Sequence, residues 1–370
     1  MNDEANVVST LEETDRKCPA CGGTMDFNPK TGGLKCPYCD YEEEIKKAVV
    51  SNPEADASDS ESAKELNFEE AENTANSDWG VATKTVICKS CGAESVYDTH
   101  EIASECPYCG SNQVMEANDS STMAPGGVVP FKIDQKEAAN RFVAWIKGRF
   151  FAPKAAKETA KAKNFKGIYL PYWTFDTDTT STYSGEYGKD RKVKKGDNEE
   201  IVTDWYKTSG VYKESFDDEL VCGTDRHETH MLNGIEPYNT ADNKVYKPEY
   251  VAGFAAERYT IGLKAAWEMA KDSIHSQIES GVDDKIRSEH HADHVRNLHV
   301  SSRYANITYK YLLLPVWIAN YKYKDKVYKF MVNGQTGKVY GKSPVSALKV
   351  AITIIVTIIV LYALYYFFMR

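Results

Sequence analysis

Eight of the nine cysteines in this chain fall into two matched sets. Cys18-Pro-Ala-Cys21 and Cys36-Pro-Tyr-Cys39 make the first, and Cys88-Lys-Ser-Cys91 and Cys106-Pro-Tyr-Cys109 make the second. Fourteen residues separate the two pairs in each set, and each cysteine of the second set lies 70 positions after its counterpart. Two residues between cysteines let a tight turn aim both sulfurs at one ion, and two such knuckles close a tetrahedral tetrathiolate site. The spacing therefore predicts two zinc ribbons, each holding one Zn2+. Four thiolates leave no open coordination position, so both ions are expected to be structural rather than catalytic. Gly22, Gly92 and Gly110 follow the second cysteine of three knuckles, where a turn often needs positive φ, and Asp40 fills the fourth place. A redox pair or a disulfide framework is the rival reading, and equal spacing repeated twice argues against it. Free thiolates imply a reducing compartment, the cytosol. The ninth, Cys222, reads as a small inert thiol.

No other motif supports chemistry. His227 and His230 are three apart, and His290 and His294 would share a face if their stretch were helical. Metal binding there is conceivable, but the charged neighbourhood and the absence of an HExxH pattern favour a solvated surface. The segment 337–343, Gly-Lys-Val-Tyr-Gly-Lys-Ser, resembles a phosphate-binding loop, yet it has three residues between its glycines and Pro344 where a helix should open. No GxSxG elbow is present. The expectation is a non-enzymatic chain with no catalytic residue and no organic cofactor.

Composition bounds what remains. The chain has 370 residues, 42% hydrophobic and 27% charged, enough for ordinary cores and two or three domains. A net charge of −9 argues against affinity built on phosphate neutralisation. Residues 51–80 hold nine acids and one lysine, so the rest of the chain is near neutral. The second ribbon has Lys89 as its only base, and Glu42, Glu43 and Glu44 follow the first. Nucleic acid is thus an unfavoured partner, and a membrane-tethered nucleic-acid-binding regulator is only the alternative reading.

The N-terminus lacks an apolar stretch of the signal-peptide kind. Residues 350–369 carry no charge, and twenty helical residues span about 30 Å, the thickness of a bilayer core. Lys338, Lys342 and Lys349 precede this run and Arg370 follows it, which predicts a single-pass anchor with the N-terminal mass in the cytoplasm. Tyr362, Tyr365 and Tyr366 suit the far interface.

The elements that position these groups can be read along the chain. The expected order is a flexible N-terminus (1–17), zinc ribbon 1 (18–45), a flexible acidic linker (46–84), zinc ribbon 2 (85–114), a second linker (115–127), an α+β body (128–344) and a transmembrane tail anchor (345–370). In the body, Asp134 and Glu137 form a capping-box start, and Ala138, Phe142, Ile146 and Phe150 recur every four residues as an apolar stripe. Leu263, Trp267, Ala270, Ile274 and Ile278 mark a long helix. Leu170-Pro-Tyr-Trp173 has a counterpart in Leu314-Pro-Val-Trp317, each after a helix and before an aromatic strand. This suggests two related helix-then-sheet halves, with each proline at a sheet edge or strand start and each tryptophan a core anchor. Asn333-Gly334 is a hairpin turn signal.

Five stretches carry a family resemblance: Val129-Pro-Phe131, Trp145-Ile-Lys-Gly-Arg-Phe150, Gly167-Ile-Tyr-Leu-Pro-Tyr-Trp173, Leu312-Leu-Leu-Pro-Val-Trp-Ile318 and Val332-Asn-Gly-Gln-Thr-Gly-Lys-Val-Tyr-Gly341. With the cysteines and the apolar tail they resemble the bacterial membrane-anchored family of TFIIB-type zinc ribbon-containing proteins, over nearly the whole chain. Members sometimes carry the label of a primosomal helicase, but this chain has no helicase motor motif. Relatives are encoded beside flotillin-like SPFH proteins and phage-shock-protein-A-like proteins. The resemblance therefore implies a scaffold that recruits such cytosolic partners to the membrane, in a membrane-stress response. Only the eight cysteines transfer from the family, as zinc ligands.

Overall fold

A computed structural model describes residues 17–45, 62–71, 83–88, 94–98, 114–117, 123–159, 165–195, 198–323 and 326–368. The strands are β1 (Asp26–Asn28), β2 (Gly33–Lys35), β3 (Glu42–Glu43), β4 (Leu66–Asn67), β5 (Thr83–Cys88), β6 (Glu94–Asp98), β7 (Val114–Ala117), β8 (Gly127–Val128), β9 (Lys166–Lys195), β10 (Asn198–Cys222), β11 (Lys244–Val245), β12 (Ala255–Glu257), β13 (His294–Tyr323), β14 (Lys326–Asn333) and β15 (Val339–Gly341). The helices are α1 (Gln135–Gly148), α2 (Lys154–Thr159), α3 (Thr229–Ile235), α4 (Leu263–His290) and α5 (Ala347–Phe368). The fold is α+β: a small sheet β1–β2–β3 beside a large one centred on β9 and β13.

Sequence pattern divides each long strand into a core half and an arm half. Ile168 to Phe175 and Tyr309 to Ala319 are buried on both faces, as near-continuous apolar runs require. Beyond them β9 alternates: Thr177, Thr179, Ser181 and Tyr183 are buried, while Asp178, Thr180, Thr182 and Ser184 are exposed. One face is thus covered and the other solvated. The cover is α4, whose Ala266, Trp267, Ala270, Ile274, Ile278, Val282 and Ile286 are buried at helical spacing. With 28 residues it runs about 42 Å along the arm. Beyond Gly188, where β13 begins to pair, β9 and β10 continue alone as a two-stranded tip.

The two Leu-Pro-x-Trp motifs pair with each other. Leu170 lies opposite Leu314, Pro171 opposite Leu313, and Pro315 opposite Tyr169, so a local two-fold passes through the Leu170–Leu314 pair. The same relation holds further out. Gly127 and Val128 pair in parallel with Leu312 and Leu313, as Ala255 and Ala256 do with Ile168 and Tyr169. Each tryptophan then ties down the start of the other half's helix. Trp173 Nε1 donates to Ile261 O at 2.9 Å, just before α4, and Trp317 Nε1 donates to Ile133 O at 2.8 Å, just before α1.

Both prolines sit in central strands, not at the edge or strand start expected of them. The reason is local. Pro171 faces the gap between β12 and β10 on the outer side of β9, where its carbonyl accepts from Gly223 N at 2.8 Å. Pro315 faces the matching gap between β8 and β14, where it accepts from Gly334 N at 2.8 Å. A residue's N–H and C=O point to the same side of a strand, so the missing donor falls where no ladder partner stands.

The expected linkers also differ from what is found. Within 46–84, β4 pairs with β13 (Leu66 opposite Tyr309, Asn67 opposite Thr308). Phe68 lies against Trp267, Phe175 and Tyr309, with ring centroids 5.7, 6.3 and 6.5 Å away. Leu66 and Phe68, the few large apolar residues of that acidic stretch, dock it as a strap. The expected linker 115–127 begins in β7 and ends in β8. Strands β5, β6 and β7 join the large sheet through β6, which pairs with β12 (Val96 opposite Ala256, Ser95 opposite Glu257).

Candidate metal centre

Residues 17–45 bring Cys18, Cys21, Cys36 and Cys39 together, with all four sulfurs within 4.8 Å of one another. Cys18 Sγ lies 3.5 Å from Cys39 Sγ, and Cys21 Sγ lies 3.5 Å from Cys36 Sγ. A tetrahedral ion with Zn–S of about 2.3 Å sets its sulfurs ~3.8 Å apart, inside that range. The four thiols are compatible with a zinc site.

Each knuckle is built in the same way. Gly22 N donates to Cys18 O at 2.8 Å, and Asp40 N donates to Cys36 O at 3.1 Å. Gly22 has φ 77° and Asp40 φ 59°. The left-handed position after the second cysteine is thus filled once by glycine and once by aspartate, one of the few other residues that visits it readily. Cys18 and Cys36 are buried and Cys21 and Cys39 exposed, so the centre sits at the ribbon's rim. Burial pushes the Cys36 thiol up, but the Tyr38 and Cys39 backbone N–H groups and neighbouring thiols outweigh it and bring it down to about 7. Against the Tyr41 backbone N–H, the Cys18 thiol, burial and the other two thiols push Cys39 up to about 12. The four sulfurs thus share protons unevenly, and an ion would displace those that remain.

The ribbon is seated on the body. Phe27 N donates to Ala252 O at 3.1 Å, and the Phe27 ring meets Tyr250 edge-on at 5.9 Å. Gly253, at φ 78°, leaves room for Asp26, which a Cβ would approach to 2.9 Å. Lys30 Nζ reaches Asp134, the N-cap of α1, at 2.8 Å.

In the second cysteine set, Cys88 ends β5, while Cys91, Cys106 and Cys109 lie outside the described residues. The histidine groups do not converge. His290 ends α4 and stacks on Tyr187 at 4.1 Å, whereas His294 opens β13 and lies 3.1 Å from Asp190. His227 Nε2 lies 3.0 Å from Glu257 Oε2, and His230 Nδ1 lies 3.4 Å from Glu228. Cys222 donates to Pro171 O at 3.7 Å, and burial pushes its thiol up to about 12, which makes it inert.

Two charged groups in the body were not foreseen. Glu257 is fully buried; besides His227 it accepts from Thr224 Oγ1 at 2.7 Å and faces Arg226 at 3.5 Å. Lys310, also buried, reaches Asp218 at 2.7 Å and Glu65 at 3.0 Å. Glu65, Asp176 and Asp217 lie within 4.8 Å of one another, and the Lys310 ammonium supplies positive charge beside them. The signal for both was charge inside an apolar stretch: Glu257, followed by the equally buried Arg258, after Phe254-Ala-Ala, and Lys310 before Tyr311-Leu-Leu-Leu314.

Helix α5 has 22 residues, none buried, and a mean hydropathy of 2.5 in its most apolar window. It is long and apolar enough to cross a membrane.

No family model matches the chain, and no solved structure matches it. The chain is similar to the uncharacterized protein YdjG of Bacillus subtilis (strain 168), at 29% identity over 335 residues, 90% of this chain and 91% of the relative.

Proposed function

We propose that this protein is a non-enzymatic membrane scaffold, anchored by α5, that holds zinc-ribbon modules and an α+β body on the cytoplasmic side and recruits cytosolic proteins there. The observation that carries the reading is α5: an apolar helix with no buried residue, joined at its foot to a folded body. Anchoring raises the local concentration of a recruited partner, so modest affinities suffice. Each of the two cysteine sets holds one structural zinc, and Lys338, Lys342 and Lys349 before the span set its orientation. The family resemblance names the recruits: flotillin-like SPFH or phage-shock-protein-A-like proteins, in a membrane-stress response. A fluorescent SPFH partner should form membrane foci in cells carrying the gene and become diffuse on its deletion. Unchanged foci in the deletion strain refute recruitment. Removing only residues 1–118 then locates the docking surface on the ribbons or on the body.

A further inference from the structure

The turn between α1 and α2 places two phenylalanines where a soluble surface would not keep them. Phe150 is 67% exposed and Phe151 39% exposed, packed edge-on against each other at 5.1 Å. Phe150 extends the apolar stripe of α1 in sequence, but the helix ends at Gly148 and the ring leaves the core. The turn is bound to the foot of α5. Ser346 N donates to Phe151 O at 2.9 Å, and Lys349 Nζ donates to Phe150 O and Ala152 O, each at 2.9 Å. Lys349 also lies over the Phe150 ring, 5.8 Å from its centroid. The apolar run of α5 starts at the next residue, Val350. Whatever level Lys349 takes at a bilayer surface, Phe150 and Phe151 take it too.

The surroundings fit a headgroup layer. Between residues 144 and 157 stand Lys147, Arg149, Lys154 and Lys157 and no acid. Arg149 stacks on Trp145 at 4.2 Å, pairing a base with the aromatic type favoured at membrane interfaces. Much of the turn's backbone is already paired: Arg149 N donates to Ile146 O, Ala152 N to Arg149 O, Ser346 N to Phe151 O, and Lys349 takes two carbonyls. Few polar groups would lose water on entering the interface.

We propose that the Phe150–Phe151 turn is a second membrane contact, seated in the interface of an anionic bilayer beside α5. Its aromatics enter the acyl boundary and its bases face anionic headgroups. The seat rests on the reading of α5 as a span, and the test separates the two. The full chain is reconstituted in phosphatidylcholine vesicles with and without phosphatidylglycerol. It carries p-benzoylphenylalanine in place of Phe150, of Leu364 within α5, or of Val211 on the exposed side of β10. Photolysis should give lipid adducts at positions 150 and 364 and none at 211. A lipid adduct at 364 with none at 150, or a protein adduct at 150, overturns the seat and leaves the span standing. No lipid adduct at either position overturns both. Reversing Lys147 and Arg149 (Lys147→Glu, Arg149→Glu) should cut the yield at 150 roughly fivefold or more, only where phosphatidylglycerol is present. An unchanged yield overturns the assignment to anionic lipid.

Discussion

Replacing Phe68 by alanine should free the strap and little else. Besides a buried hydrogen bond from Ala63 N to Asn243 Oδ1 at 2.7 Å, three kinds of contact hold the strap around Phe68. The Phe68 ring packs on Trp267, Phe175 and Tyr309. Phe68 N donates to Ile307 O at 3.1 Å, and Leu66 and Asn67 pair with Tyr309 and Thr308. Glu65 reaches Lys310 at 3.0 Å and Thr308 Oγ1 at 3.1 Å. The ring is the largest apolar group among them, since Leu66 is equally half-buried but smaller, Ala63 is buried but offers one methyl, and the ion pair is partly solvated. A fully buried Phe→Ala costs about 3–5 kcal/mol, and Phe68 is half-buried, so about 2 kcal/mol is expected. That is roughly a 30-fold rise in local opening.

Hydrogen exchange on the full chain in a bilayer mimetic reads this directly. Amides of residues 66–68 should exchange roughly 30-fold faster in Phe68→Ala, while those of α4 and the paired core of β9 and β13 keep their rates. Trp267 emission should shift red as water reaches the vacated site. Unchanged exchange at 66–68 would mean the backbone pairing carries the strap by itself. Equal acceleration through β9 and β13 would mean that the strap belongs to the core's cooperative unit. Either result refutes the reasoning.

Three further outcomes are expected. Burial and the neighbouring Glu65 push the Asp176 carboxyl up to about 6, so its contribution to strap docking is full below its ordinary value and lost as pH rises through 6. Glu65 is held below its ordinary range by its hydrogen bond with Asp176 and by Lys310, and its opposite contribution falls in a lower window, so exchange at 66–68 should rise from pH 5 to 7 beyond its intrinsic pH dependence, and Asp176→Asn should remove the excess. Metal analysis of the purified chain should give about two zinc equivalents, and Cys36→Ser should remove about one of them together with the exchange protection of residues 17–45; full retention of zinc by that variant would exclude the tetrathiolate site. Glu257→Ala removes the buried acceptor that Thr224, Arg226 and His227 share and should cost about 3–5 kcal/mol in thermal unfolding, with Glu257→Gln in between; a wild-type midpoint for the alanine variant would show the group to be dispensable.

Local chemistry was legible in the sequence, and long-range pairing was not. The first knuckle set could be read down to Asp40, since the spacing and the residue after each second cysteine specify the turn. The stripes of α1 and α4 emerged from a period of four, and both tryptophans are core anchors as expected. Phe150 misled because periodicity continues past a helix end that Gly148 and Arg149 impose. The strap was hidden because two apolar residues among nine acids look like a solvated spacer. Only a cleft lined by Phe175, Trp267 and Tyr309, from three distant parts of the chain, makes them useful. The prolines misled likewise, since a missing donor is harmless in a central strand where neighbouring strands break off, and that break is a tertiary fact.

Helix α1 links the two ends of the proposed scaffold. Its N-cap Asp134 is held by Lys30 of the first ribbon, and its far end leads into the turn fastened to Lys349 at the foot of α5. Fourteen helical residues separate these points by about 21 Å. The buried face of α1, Ala138, Phe142 and Ile146, fixes it to the sheet, with Phe142 stacked on Phe330 of β14 at 3.7 Å. A ribbon seated in this way is fastened to the body, whereas a flexible linker over residues 46–84 would leave it free. In the proposed scaffold it would be carried at a set height and orientation relative to the apolar helix. A partner recruited by the first ribbon would then be offered a fixed geometry relative to the bilayer, and the binding surface would include the body around Tyr250 and Ala252 as well as the ribbon itself.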